Sequence, residues 1–224
     1  MSQKHAIKVE HISKTYGNKS VLTDISLTVH QGHCVALLGE NGAGKSTLLK
    51  ILATLIKPTQ GNAWVNGFSI IEDPINVRKS LGFVFQSTLL DKQLTVCDNL
   101  QFAAALFGLS KKNALERIKT VLAIFELSDL LNKRVKSLSG GTQRTIDIAR
   151  CLLHKPSVIM LDEPTAGLDK AHRTQLFEHL ELLKTKEKAT ILFSTHQLEE
   201  TKSVDAIFSV KAGHAASCLT QPSH

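Results

Sequence analysis

The sequence predicts an α/β chain with a parallel sheet at its centre, an antiparallel sheet at its N-terminus and a helical lobe inserted between the two halves of the core. Three observations lead there. From residue 139 onward, short apolar runs alternate with helical patterns, which implies right-handed βαβ units and a parallel sheet. Near the start, residues 6–12 (AIKVEHI) and 21–30 (VLTDISLTVH) alternate in polarity, as half-buried antiparallel strands do. Between about Gln86 and Leu138 the strand signals give way to a mostly helical stretch. The chain therefore reads as one domain, with residues 1–85 and 139–224 forming the core and about 86–138 the helical subdomain.

Taken in order, Gly17-Asn18 marks the turn between the first two strands. Residues 34–38 (CVALL) form a short apolar run ending at Gly39, as expected of a fully buried strand. A helix is predicted over 45–56, with Leu48, Leu49, Leu52, Leu55 and Ile56 at helical spacing and Lys57-Pro58 to stop it. A strand pair over 62–71 turns at Asn66-Gly67. Helical segments are predicted near 95–108 and 111–127, then a helix over 140–153. The remainder reads as strand 157–161, helix 170–186, strand 189–194 and strand 205–210. After Val210 the sequence leaves no room for an appended regulatory domain.

Composition removes several classes. Of 224 residues, 42% are hydrophobic and 21% charged, too apolar for a disordered chain. No run of about 18 apolar residues exists; the stretch Ala103 to Leu109 contains a glycine and is too short to cross a bilayer. The N-terminal MSQKHAIKVE has no apolar signal core. Cys34, Cys97, Cys151 and Cys218 are scattered without a CxxC pair, which fits buried reduced thiols rather than a disulfide frame or zinc site. The net charge of +7 favours anionic partners without choosing between nucleotides, nucleic acid and an acidic membrane face.

Residues 39–47 read GENGAGKST, a G-x-x-x-x-G-K-[ST] pattern placed after a predicted strand and before a predicted helix. Backbone N–H groups of Gly39, Glu40, Asn41, Gly42, Ala43 and Gly44 can line a nest for phosphate oxygens, and the helix start adds its partial positive charge. Lys45 is placed to reach the β- and γ-phosphates. Ser46, followed by Thr47, is placed to ligate Mg²⁺. Downstream, VIMLDE puts Asp162 and Glu163 at the C-terminal end of a buried strand, where open parallel sheets bind ligands. Asp162 suits Mg²⁺, and Glu163 suits orienting or deprotonating an attacking water.

In carrying these two motifs, the chain resembles the ATP-binding cassette (ABC) ATPases, which share a P-loop NTPase core. Leu138-Ser139-Gly140-Gly141-Thr142-Gln143-Arg144 is similar to that family's signature. Gln86 in GFVFQ resembles its Q-loop glutamine, Gly167-Leu168-Asp169 its D-loop, and His196 in FSTHQLEE its switch histidine. Tyr16 stands where the family has an aromatic residue that stacks on adenine. The motifs span residues 16 to 196 in the family's order. The resemblance implies ATP and Mg²⁺ as cofactors, with Gln86 touching the metal or the attacking water. It implies that His196 bonds a γ-phosphate oxygen and that Asp169 contacts a partner chain. It implies that Ser139, Gly140 and Gly141 close over the nucleotide of a second cassette, so that catalysis needs a dimer.

The resemblance further implies an integral membrane permease on another polypeptide, a homodimer of cassettes, a location on the cytoplasmic face of the inner (plasma) membrane, and no direct nucleic-acid partner. Residues 86–94 (QSTLLDKQL) are the expected seat for the permease, whereas Val96, Leu100, Ala103, Ala104 and Phe107 read as internal packing. Stretches such as LDEPTAGLD and STHQLEE look most like ABC-2 type exporters of drugs or lipophiles. The rival readings are a soluble ABC ATPase acting on nucleic acid or the ribosome, and a P-loop kinase. Thr142 departs from the family, which commonly has Gln there; Thr keeps a hydroxyl and loses the amide.

Overall fold

The computed structural model describes residues 4–211 and 214–220. Strands β1 (His5–Tyr16) and β2 (Lys19–His30) form a hairpin, and with β4 (Gln60–Val65) and β5 (Phe68–Ser69) they make an antiparallel sheet in the order β2-β1-β4-β5. The second sheet runs β10-β9-β3-β8-β7-β6, built from β3 (Cys34–Leu38), β6 (Leu81–Val84), β7 (Val158–Leu161), β8 (Thr190–Thr195), β9 (Ala206–Lys211) and β10 (His214–Thr220). All its pairings are parallel except β9 with β10.

Strand periodicity divides the interior into two layers. Val35, Leu37, Val158, Met160 and Leu192 face one side, where they meet the antiparallel sheet and helix α1 (Lys45–Leu52). Ala36, Ile159, Leu161, Ile191 and Phe193 face the other. Successive side chains of a strand point to opposite faces, so short all-apolar strands are what a sheet covered on both faces requires.

The second layer is continuous with the helical stretch. Helix α3 (Val96–Leu106) starts with a capping box in which Thr95 and Asp98 satisfy each other's amides. It packs with α4 (Lys111–Ile124) against α5 (Gly140–Cys151), and α6 (Lys170–Lys186) lies beside α5. Leu100, Ile118, Ile146, Leu180 and Phe193 share this one cluster. Val96, Leu100, Ala103 and Ala104 are buried as expected, but Phe107 is not: it stacks on the His154 ring at 3.9 Å and is 41% exposed.

Several elements differ from the sequence expectation. Helix α1 stops at Leu52, with Thr54 at φ 60° and the amides of Leu55 and Ile56 both returned to the Lys50 carbonyl. The expected pair over 62–71 is shorter at its far end, and a helix α2 (Pro74–Ser80) follows, capped by Asp73 with proline in its first turn. Strand β6, not expected from the sequence, is an edge of the parallel sheet. Strand β10, unread, pairs beside β9.

Two cysteines lie inside these layers. Burial pushes the thiols of Cys34 and Cys151 up to about 12, and burial also raises the half-buried Cys97. The Cys218 side chain lies outside the described residues. Because thiolate is the reactive form, a thiol reagent applied to native protein at neutral pH is expected to leave Cys34 and Cys151 unmodified. Both should become labelled once denaturant is added, as mass spectrometry of cysteine peptides can show.

Candidate active site

Parallel pairing sends the C-terminal ends of β3, β6, β7 and β8 to the same edge of the sheet, and the 39–47 loop, Gln86, Asp162, Glu163 and His196 follow those ends. After β3 the chain turns through Gly39–Gly44 into α1. Gly44 requires its lack of side chain twice over: its φ is 101°, and a Cβ there would sit 2.6 Å from Leu22 Cδ2 and 2.8 Å from the Val21 carbonyl. Strand β2 therefore presses directly on the loop that starts α1.

Lys45, only 3% exposed, turns its ammonium back to donate to the carbonyls of Gly39 (2.7 Å) and Glu40 (2.9 Å). Burial pushes its pKa down, and the nearby carboxylates of Glu163 and Asp162 oppose that shift. A buried cation with carbonyl partners only, plus a carboxylate 3.8 Å away, is a strong attractor for added anionic oxygens. Ser46 donates to Asp162 Oδ1 at 2.8 Å. Glu40, Asn41 and Gly42 are exposed, Ala43 is buried, and Thr47 is half-buried beside Ser46.

Glu163 is the point on which the other groups converge. Its carboxylate accepts from Gln86 Nε2 at 3.3 Å, lies 3.8 Å from Lys45 Nζ, and lies 3.7 Å from His196 Nδ1. Its backbone sits at φ 43°, a left-handed conformation that costs a non-glycine residue about 1–3 kcal/mol. Two groups hold it there. The Glu163 amide donates to Ser194 Oγ at 2.9 Å, and that hydroxyl donates to Asp162 Oδ1 at 2.7 Å. Arg144 on α5, 6% exposed, donates to the carbonyls of Asp162 (3.1 Å), Glu163 (3.4 Å) and Pro164 (2.9 Å), and also to those of Phe85 and Gln86. One guanidinium thus ties the loop after β6 to the loop after β7.

The donors around Asp162 fit a hard divalent cation. Ser46, Asp162 and Gln86 offer only hydroxyl, carboxylate and amide oxygens, the set Mg²⁺ takes alongside water and substrate phosphates. Among the described residues no cluster of three or more His, Cys, Asp or Glu could hold a metal by itself, so substrate oxygens would complete the shell.

The remaining sequence candidates fall elsewhere. Ser139 caps α5, accepting from the Thr142 amide at 3.1 Å, and Gln143 donates to the carbonyls of Val135 and Leu138 to hold the preceding turn. Gly140 and Gly141 open α5. Asp169 caps α6 and is bonded to His172, whose amide and ring hold its carboxyl below the usual carboxylate range. No hydrogen bond among the described residues joins Ser139, Gly141 or Asp169 to the Lys45–Glu163 group; Arg144 is the link through α5. Tyr16, 48% exposed at the end of β1, faces the Lys14 ammonium at 4.9 Å. Ser194 and Arg144 were not assigned roles from the sequence. A serine closing an apolar strand and an arginine on the buried face of a helix were the available signals.

Residues 22–166 match the family model described as ABC transporter. The chain is 38% identical over 192 residues to the ABC transporter ATP-binding protein NatA of Bacillus subtilis, covering 85% of this chain and 78% of that one. It is 39% identical over 198 residues to the human phospholipid-transporting ATPase ABCA3, covering 87% of this chain but only 12% of that much longer protein. Relatives named for opposite directions of transport also match: a Nod factor export ATP-binding protein of Cupriavidus pinatubonensis (37% identical, 88% of this chain, 60% of that one) and an Fe(3+) import ATP-binding protein of Escherichia coli (32%, 96% and 62%). Among solved structures, the dimeric post-hydrolysis state of the cassette MJ0796 bound to ADP and Pi superposes with a TM-score of 0.85 at 27% identity, covering 97% of this chain and all of that one.

Replacing Arg144 leaves buried carbonyls of two loops without donors, which costs about 1–3 kcal/mol per unsatisfied group. Arg144→Met is expected to lower the thermal midpoint clearly. Arg144→Lys should lower it less, because an ammonium still donates to some of these carbonyls, yet not match the parent, because it lacks the planar fork that spans both loops. Differential scanning calorimetry of the two variants checks this order.

Proposed function

The chain belongs to the ABC transporter family, and from that premise we propose that it is the ATP-hydrolysing subunit of a transporter whose permease lies on another polypeptide. The convergence of Lys45, Gln86 and His196 on the Glu163 carboxylate, beside an Asp162 already bonded to Ser46, is the observation that carries this reading. Lys45 exchanges its two carbonyl partners for β- and γ-phosphate oxygens. Ser46, Asp162 and Gln86 would hold Mg²⁺, which when bound would supply positive charge to offset that of the phosphate oxygens. Glu163 orients a water in line with the terminal phosphate and takes its proton, and His196 holds the same carboxylate and a γ-phosphate oxygen in register. Tyr16 stacks on adenine.

Ser139, Gly140, Gly141 and Asp169 then serve a second copy of the chain. Ser139, Gly140 and Asp169 are exposed and Gly141 is buried beneath them, all at two helix starts, where backbone N–H groups favour anions. The nucleotide is held between the phosphate loop of one copy and the signature of the other. In the lobe formed by about 86–138, Leu89 and Leu94 are exposed and Leu90 is buried, so the 86–94 segment is anchored at its middle and presents apolar side chains on either side. With Phe102 and Leu106 exposed on α3, this is the face we assign to the permease, on the cytoplasmic side of the membrane. Among the described residues no helix is long and apolar enough to cross a membrane itself. The ABC-2 type export of drugs or lipophiles is the direction favoured by the LDEPTAGLD and STHQLEE stretches.

Two variants test the reading. Lys45→Ala is expected to reduce ATP hydrolysis about a hundredfold or more, since a positioned charge on the transferred group contributes on that scale. Glu163→Gln is expected to bind ATP, hydrolyse it poorly and accumulate as an ATP-dependent dimer on size-exclusion chromatography. Hydrolysis by Lys45→Ala at the parental rate would remove the site assignment.

A further inference from the structure

The starts of α5 and α6 are joined by one imidazole. His172 Nδ1 lies 2.8 Å from Asp169 Oδ2, and its Nε2 lies 3.3 Å from Ser139 Oγ. The same Asp169 carboxylate accepts the His172 amide at 2.9 Å, so it caps the helix and grips the ring at once. At the other end, Ser139 Oγ meets the Thr142 amide at 3.1 Å and Thr142 Oγ1 at 2.9 Å. The ring is also wedged sterically. A Cβ on Gly141 would fall 2.0 Å from His172 Cδ2, whereas one on Gly140 would meet nothing within 4 Å. The second glycine of the signature is thus the floor on which this ring rests.

We propose that His172 is a positioning residue for the terminal phosphate of a nucleotide held by a second copy of the chain, acting through Ser139. The proposal rests on the reading above that residues 139–141 close over that phosphate. A serine hydroxyl rotates freely about its C–O bond and samples several side-chain rotamers. Asp169 fixes the ring plane, as an outer carboxylate does for a functional histidine, and the ring fixes the Ser139 oxygen. The helix starts carrying Ser139 and Asp169 therefore move as one unit when the facing copy approaches. This lowers the ordering cost of engaging an anion there.

The test uses the full chain in a Glu163→Gln background, with ATP-driven self-association followed by analytical ultracentrifugation. ATP binding to the isolated chain, by a fluorescent analogue at low protein concentration, and the thermal midpoint are measured beside it. His172→Ala is expected to weaken dimerisation about tenfold, the order for losing one hydrogen bond at a charged group, with nucleotide affinity of the single chain and the thermal midpoint unchanged. His172→Gln, whose amide can still bridge the two helix starts, should recover most of the loss. Dimerisation of His172→Ala as tight as the background overturns the proposal, and so does a loss that tracks a falling thermal midpoint and is not recovered by Gln. If the Glu163→Gln background itself shows no ATP-dependent dimer, it is the composite-site reading that fails.

Discussion

The carboxylate of Asp162 is the contact on which the rest of the centre depends. It is 3% exposed, and one of its oxygens accepts the hydroxyls of Ser46 and Ser194 together. Those serines come from α1 and β8, so a single oxygen holds the phosphate loop, β7 and β8 at fixed distances. The Glu163 amide extends the arrangement by one bond, through Ser194. Without this anchor the left-handed turn at Glu163 would have little reason to persist, since nothing about glutamate favours it. Strain held by surrounding bonds keeps the carboxylate aimed at the lysine, glutamine and histidine rather than at solvent.

Helix α5 has two duties. Its inner face carries Arg144, which fastens the loops bearing Gln86 and Glu163. Its start carries the exposed cap Ser139, beside the exposed Asp169 and the half-buried His172, with Gly141 buried under that ring. One helix thus carries contacts both to the chain's own centre and to the surface proposed above to meet a second chain. A continuous apolar layer lies under it, from Leu100 on α3 to Phe193 on β8.

The parts of the fold legible in the sequence were those with local signals. The strand-loop-helix of 34–52 was readable from an apolar run, glycines at fixed spacing and Lys-Ser. The VIML strand before Asp162 was readable from four apolar residues in a row. Strand β6 was not, because Leu81–Val84 has only four residues, one a glycine, and is a strand through its pairing with β7. Strand β10 is likewise an edge maintained by β9. Within the centre, Lys45, Ser46, Asp162 and Glu163 were legible because their chemistry is written in contiguous motifs. The roles of Arg144, Ser194 and His172 were not, because, Asp169 beside His172 apart, the groups they bond lie 18 to 59 residues away in the chain and no spacing rule connects them.

In the proposed assembly each polypeptide owns half of every reaction centre, with the phosphate loop in one half and the signature in the other. Mixing two disabled chains tests this most directly: one with Lys45→Ala and an intact signature, the other with an intact phosphate loop and Ser139→Arg. Each preparation alone is expected to hydrolyse ATP at background rates, and the mixture to recover a concentration-dependent share of the parental rate through the one intact composite centre. Parental turnover by the Ser139→Arg chain alone, or no recovery in a mixture shown to contain mixed dimers, would contradict that assembly.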